Sequence, residues 1–243
     1  MSKRLQVQVW SDIACPWCYV GKRRFESALA RFDHAAEVEI VWRAFELDPS
    51  APRSQPKQDY AQRLASKYGQ TRAQAQARIE QLVALAQADG VTLDFTRIQP
   101  GNTFDAHRLI HLALDRGKQG AVKERLLRAY LSEGEAIGAP EALLRLTTEA
   151  GLEPDEVQAV LATDQYAREV RADETQAREL GIHGVPFFVV AQRYAIEGAQ
   201  PAELILSALE RAWSELSPLV SLSAPDAAVC GPDGCGPAAD GGE

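Results

Sequence analysis

The sequence predicts an α/β fold in which a strand–helix–strand unit is followed by a long run of helices before strands resume. Three observations carry this. Leu5, Val7 and Val9 alternate with polar residues, and β-branched and aromatic residues return over Val38–Leu47, with Phe25, Ala28, Leu29 and Phe32 at helical spacing between. From about Lys57 to Leu180 the apolar residues recur at three- and four-residue intervals. Strand character then reappears at Pro186–Val190.

The 243 residues suit one large domain, or two small ones sharing a core. A hydrophobic fraction of 46% is enough to bury that core. The 26 cationic side chains against 34 anionic ones leave a net charge of −8, which argues against general nucleic-acid binding because no excess of cation is present to neutralise phosphates. The longest apolar stretch, Gly184–Ala191, falls far short of the roughly 20 residues a membrane helix needs. Met1–Asp12 lacks the apolar core of a signal peptide. The expectation is a cytoplasmic protein with no nucleic-acid and no membrane partner.

In chain order, the first strand ends at Ser11-Asp12 and a helix is expected from about Cys15 to Phe32. The second strand completes a βαβ unit. Pro49, Pro52 and Pro56 break the pattern. Thr71 and Gln74 have capping-box spacing ahead of Ile79, Leu82, Val83 and Ala86. Asn102 suits an N-cap before Ala106, Leu109, Ile110 and Ala113. Val122, Leu126, Tyr130 and Leu131 make another stripe, and Pro140 and Pro154 suit the first turns of two further helices. Tyr194–Ile196 pairs back across Ala191–Arg193 as a hairpin. A last helix runs from Pro201 to about Leu216, with Leu204, Ile205, Ala208, Leu209 and Trp213 on its buried face; Trp10 and Trp42 join the core. Residues 218–243 hold four prolines, five glycines, four acids and no Lys or Arg, which predicts a flexible tail.

The four cysteines fall in two close pairs, Cys15 with Cys18 and Cys230 with Cys235. In a reducing compartment close pairs are more often redox-active or metal-binding than structural. Cys15-Pro16-Trp17-Cys18 lies where a strand turns into a helix. A thiol there faces unpaired backbone N–H groups and the positive end of the helix dipole, which favour the thiolate, the attacking species. Pro16 has no N–H and suits the first turn. Cys18 sits one turn inside, so Cys15 reads as the exposed nucleophile and Cys18 as the resolving thiol. Half of a zinc site is the alternative, but zinc sites of this type carry a second pair in a folded context.

Ser11-Asp12-Ile13-Ala14-Cys15-Pro16-Trp17-Cys18, Asn102-Thr103-Phe104-Asp105-Ala106-His107-Arg108-Leu109 and Gly184-Val185-Pro186-Phe187-Phe188 occur in that order. On these motifs the chain resembles, over about residues 5–216, the DsbA family of thiol–disulfide oxidoreductases, and within it the cytosolic FrnE branch. The resemblance implies a thioredoxin fold with a large all-helical domain inserted after the first βαβ unit. Residues 1–50 and 179–217 would form the thioredoxin-like domain, 51–178 the insert and 218–243 the tail. It implies a cis Val185–Pro186 peptide against the cysteine pair, with the Val185 backbone open to an extended substrate. Pro16, Trp17, Val185 and Pro186 would then support Cys15 and Cys18.

The implied activity is a protein dithiol–disulfide oxidoreductase, a reductase or isomerase. Its partners would be protein or peptide disulfides and thiols and an unidentified reductant, with no cofactor and no metal. The chain departs from its relatives in two places. The position six residues before Cys15, often a buried acid in the family, is Val9; Asp12 is the nearest carboxylate and reads as a turn or capping residue or, second, as a substitute. Trp17 stands where the strongest oxidants carry histidine, so strong oxidising power is not expected.

His107 and His111 share a helix face, for which a structural role is favoured over a metal. His183 precedes the proline loop and could lie near Cys15. Cys230 and Cys235 flank Gly-Pro-Asp-Gly, a turn sequence that predicts a second redox pair, with an inert tail or a metal half-site as alternatives. Two rival functions stand beside the first. One is a glutathione-dependent isomerase or transferase of the same architecture, whose members lack the pair and usually carry serine at the nucleophile. The other is a holdase or metal-binding module that uses a groove in the insert.

Overall fold

The computed structural model describes residues 4–55, 57, 59–216 and the backbone of 228–231 and 234–237. Strand β1 (Leu5–Ser11) runs into α1 (Pro16–Leu29), and β2 (Val38–Ala44) returns parallel to β1, Leu5 opposite Val38 and Ser11 opposite Ala44. Strand β3 (Phe187–Val190) lies antiparallel on the other side of β1, with β4 (Tyr194–Glu197) outside it, giving the order β2-β1-β3-β4. Because β1 is central, it is buried along nearly its whole length rather than on one face, and Gln8 at its polar phase accepts a hydrogen bond from Arg43. Strand β2 ends at Ala44 instead of Leu47, since β1 offers no partner beyond Ser11.

Side chains leave the sheet on alternate faces. On one, Phe188, opposite Val9, stacks its ring 5.7 Å from Phe25 of α1, and α1 packs against α9 (Ala202–Glu215). On the other, Trp10 and Phe187 cluster with Ala177 and Ile182. Helix α9 buries Ile205, Leu209 and Ala212; Leu204, expected inside, is one position off that stripe and 47% exposed. Trp213 is only half-buried and stacks on His34 with ring centres 4.2 Å apart.

Between β2 and β3 come α2 (Tyr60–Tyr68), α3 (Arg72–Ala88), α4 (Phe104–Asp115), α5 (Gln119–Arg128), α6 (Pro140–Glu149), α7 (Pro154–Ala162) and α8 (Ala167–Glu179). Helix α5 continues into a π-helical turn, Ala129–Glu133. The capping box at Thr71 and Gln74 is formed, and Pro140 and Pro154 open their helices. Asn102 lies one residue before the N-cap, Thr103, and accepts from the Phe104 N–H at 2.8 Å. Leu109, Leu126 and Leu146 from these helices belong to the same buried cluster as Val9 and Phe188. The Gln119 side chain both accepts from Trp42 N–H and donates to Trp42 C=O at 2.9 Å, covering the edge of β2. None of the described helices is long and apolar enough to cross a membrane.

In the tail, β5 (Ala228–Gly231) and β6 (Gly234–Pro237) form an antiparallel ribbon with Cys230 opposite Cys235. The expectation of a flexible tail did not include these strands. Pairing Gly231 with Gly234 across two residues lets four residues on each side enter a ladder. Residues 217–227, 232–233 and 238–243, the side chains of Cys230 and Cys235, and Pro56 lie outside the described residues.

Candidate active site

Cys15 is the N-cap of α1, with extended backbone dihedrals, and Pro16 occupies the first turn. The Cys15 N–H donates to the Asp12 carbonyl at 3.3 Å and the Cys18 N–H to the Cys15 carbonyl at 3.1 Å. These bonds fix the two thiols one turn apart. Cys15 is not the open surface thiol that its helix-end position suggested. It is 5% exposed, and Cys18 is fully buried.

The register of β1 and β3 sets Trp10 opposite Phe187, so the residues just before β3 come to the end of β1 where the cysteines begin. The Val185–Pro186 peptide is cis, as the resemblance implied, and the Cys15 thiol donates to the Val185 carbonyl at 3.5 Å. Helix α1 approaches the loop where it carries Gly21. A Cβ there would sit 2.8 Å from Pro186 Cγ.

Asp12 is a turn residue, as first expected, and also a buried anchor. Its carboxylate accepts from the Ala14 and Leu47 N–H groups at 3.4 and 2.8 Å, and Oδ1 is 3.3 Å from His107 Nε2. Burial works to raise its pKa, but hydrogen bonding to His107, that residue's charge and the Leu47 N–H outweigh it and hold the carboxyl below its usual value. His111 Nε2 pairs with a different carboxylate, Asp173 at 2.9 Å, which also accepts from the Ala44 N–H at 2.8 Å. The two histidines therefore serve separate structural bonds. Among the described residues no three His, Cys, Asp or Glu side chains are grouped to hold a metal. The neighbouring Arg108 ties α4 to the end of α7 through the carbonyls of Val160, Thr163 and Gln165. His183 is exposed and does not line the cleft beside Cys15.

The residue missed from sequence is Lys123 on α5. Its side chain is fully buried, and Nζ donates to the Ser11 carbonyl at 3.2 Å and sits 5.7 Å from the centre of the Trp42 ring. Burial lowers its pKa to about 8, against the opposing pull of Cys18, Asp12 and Cys15. Burial pushes the Cys18 thiol well above its ordinary value, and hydrogen bonding to Cys15 adds to this. The signal was present: Lys123 shares a helix face with Leu126, Leu127 and Tyr130, all buried.

A cleft of about 1060 Å³ opens over Cys15. Trp17, 41% exposed, stands at it with Leu47 and Tyr68, which are also exposed. The helical insert supplies the aromatic Tyr60 and Tyr130 and the cations Arg63, Lys67 and Arg78. None of these was singled out as a site residue from sequence. Val185 completes the wall beside the thiol. The arrangement joins a thiol at a helix N-terminus, a second thiol behind it, and a backbone carbonyl in a groove large enough for a peptide.

The DSBA-like thioredoxin domain model matches residues 6–210. The Bacillus subtilis (strain 168) protein YwbO is 30% identical over 208 residues, spanning 84% of this chain and 96% of its own. The crystal structure of a probable DsbA oxidoreductase from Streptomyces coelicolor superposes with a TM-score of 0.85 at 47% identity, over 96% of this chain and 99% of that one. The cytosolic disulfide reductase DsbM from Pseudomonas aeruginosa shares the fold at 18% identity, with a TM-score of 0.54 over 87% and 96% of the two chains.

Proposed function

The chain belongs to the DSBA-like thioredoxin domain family, and we propose that it is a cytoplasmic dithiol–disulfide oxidoreductase that reduces or isomerises peptide and protein disulfides at Cys15 and Cys18. The observation that carries this reading is the position of the Cys15 thiol at the head of α1, bonded to the Val185 carbonyl and facing the cleft. An extended substrate in the cleft can pair with the Val185 backbone, which sets its disulfide beside Cys15. Cys15 attacks one sulfur, the substrate disulfide breaks, and a mixed disulfide forms. Cys18 then attacks Cys15 and releases the reduced substrate, or a substrate thiol does so in isomerisation. A separate reductant returns the pair to dithiol.

The full burial of Cys18, which pushes its thiol up, supports its place as the second thiol to react. The test is Cys15→Ser beside Cys18→Ser. The first abolishes disulfide reduction, and the second accumulates mixed disulfide through Cys15. Iodoacetamide added to the reduced protein labels Cys15 first; labelling of Cys18 first overturns the assignment.

The tail pair is a second redox centre in this reading. Opposed residues in an antiparallel ribbon have Cα atoms about 4.5–5.5 Å apart, within what a disulfide needs, and Cys230 is opposite Cys235. Truncation after Leu216 changes the rate at which a reductant recycles Cys15–Cys18 if the tail relays electrons. An unchanged rate removes the relay and leaves the main site standing.

A further inference from the structure

Lys123 is a buried cation that makes no ion pair among the described residues. Its side chain is fully buried and its hydrogen bond goes to a neutral carbonyl. Buried charges are ordinarily paired, because an uncompensated ion in a poorly polar interior is costly. Nearby Lys22 shows the usual solution, bonding Glu26 at 2.5 Å and Glu124 at 2.7 Å.

Lys123 reaches the strand end that leads into the cysteine pair. Ser11, whose carbonyl it holds, ends β1 four residues before Cys15. Among the described residues, the Ser11 Oγ and His107 Nδ1 atoms are buried without a hydrogen-bond partner. Val9, the core residue on the same strand, offers no charge. The titratable groups that act on Lys123 are Cys18, Cys15 and Asp12, which favour its ammonium, and Lys22, which opposes it; His107 also feels its charge.

We propose that Lys123 is the positive charge that allows the buried Cys18 to become a thiolate when it resolves the mixed disulfide on Cys15. The inference rests on the exchange reading above. In the step, Cys18 loses its proton to solvent and its sulfur bonds to the Cys15 sulfur. The bond between Cys15 and the substrate sulfur breaks, and that sulfur leaves as a thiolate and takes up a proton. Over attack and resolution together, the cysteine pair loses two electrons and the two sulfurs of the substrate disulfide gain them. Lys123 remains an ammonium and acts through Cys18 as a positioning charge.

The missing anion is thus the transient thiolate itself. With no ion pair at rest among the described residues, the cation is compensated at close range only while Cys18 attacks. This also accounts for a lysine on the apolar stripe of α5, where a leucine or methionine would pack without the cost of burying a charge.

The experiment compares Lys123→Met with the unmodified chain, using stopped-flow formation and resolution of a mixed disulfide with a chromogenic aromatic disulfide. Lys123→Met is expected to slow resolution about tenfold or more at pH 7 and to displace its pH profile upward by about one unit or more, each unit being tenfold in thiolate. Lys123→Arg, which keeps the charge, restores at least part of the rate. In a Cys15→Ser background, the thiolate absorbance of Cys18 should rise at higher pH when Lys123 is Met.

An unshifted resolution profile in Lys123→Met overturns the proposal, and so does a Cys18 thiolate absorbance in the Cys15→Ser background that rises at the same pH with and without Lys123→Met. Failure of Cys15 to form any mixed disulfide in the unmodified chain overturns instead the exchange reading on which it rests.

Discussion

His107 Nε2 lies 3.3 Å from Asp12 Oδ1, and neither side chain is more than 2% exposed. The pair ties α4 of the insert to the turn that carries Cys15. Burial holds the His107 pKa below its ordinary value despite the bond to Asp12, and the carboxyl of Asp12 is also held low. Both groups therefore bind protons less readily folded than unfolded, so the unfolded chain gains protons first as pH falls. Stability is lost on acidification, beginning below about 6.5 for His107 and below about 3.8 for Asp12. His107→Gln should flatten the first limb. Its urea midpoint should hold between about pH 7 and 5 while that of the unmodified chain falls. Equal slopes would assign the acid sensitivity to other groups.

Glu46 behaves in the opposite sense. Its side chain is buried and bonds Arg171 at 2.5 Å, and Arg171 also reaches Glu174 at 2.7 Å. Burial raises the Glu46 pKa to about 7; Arg171 works against this and Glu174 adds to it. The folded state holds that proton more tightly than the unfolded chain. The associated stability is complete below about 4.5 and is lost as pH rises through about 7. Glu46→Gln should stabilise by about 1–2 kcal/mol at pH 8 and by under about 0.5 kcal/mol at pH 5. Urea melts at the two pH values decide it, and a gain of equal size at both would remove the titration argument.

Gly21→Ala should be costly although the site is helical and alanine is the better helix former. The added Cβ would meet the Pro186 ring at 2.8 Å and Ala199 Cβ at 3.6 Å, and a proline ring cannot swing aside. A loss of about 1–3 kcal/mol is expected, with slower alkylation of Cys15 as the loop shifts. A more stable Gly21→Ala protein would show that helix propensity prevails over the contact.

The βαβ start, the helical stretch and the hairpin were legible because periodicity is a local property. So were the first-turn prolines and the box at Thr71 and Gln74, whose bonds span three residues. The central place of β1 was not legible, since Gln6 and Gln8 suggested a wet face and only the neighbouring strands and Arg43 bury Gln8. Cys15 and Cys18 stood out as a motif, and Val185 through the resemblance. Lys123, Arg63 and Tyr130 did not stand out, because they come from residues 60–130 and reach the site only through tertiary packing. The paired histidines had the spacing of metal ligands, and only the fold shows that each faces its own aspartate.

The last prediction concerns the charge of the substrate. The chain carries a net charge of −8, yet the insert side of the cleft presents Arg63, Lys67 and Arg78. Arg63 stacks 4.9 Å from the centre of the Tyr60 ring and Lys67 5.8 Å from that of Tyr68, and no carboxylate forms an ion pair with any of the three among the described residues. Of the acids on the cleft, Asp12 is engaged by His107 and Leu47, and Asp48 by Ser50. A disulfide flanked by Asp or Glu therefore meets local attraction against the sign of the whole molecule, and one flanked by Lys or Arg does not. Reduction of matched disulfide peptides should favour the acidic one by about three- to tenfold in kcat/KM at 0.01 M salt, the range expected of a few exposed charges. The preference should shrink towards equality near 0.5 M salt, where screening confines such fields to a few ångströms. Arg63→Gln combined with Arg78→Gln should bring the ratio of acidic to basic peptide towards one at low salt. Equal turnover of the two peptides at every ionic strength would show that these cations face solvent rather than substrate.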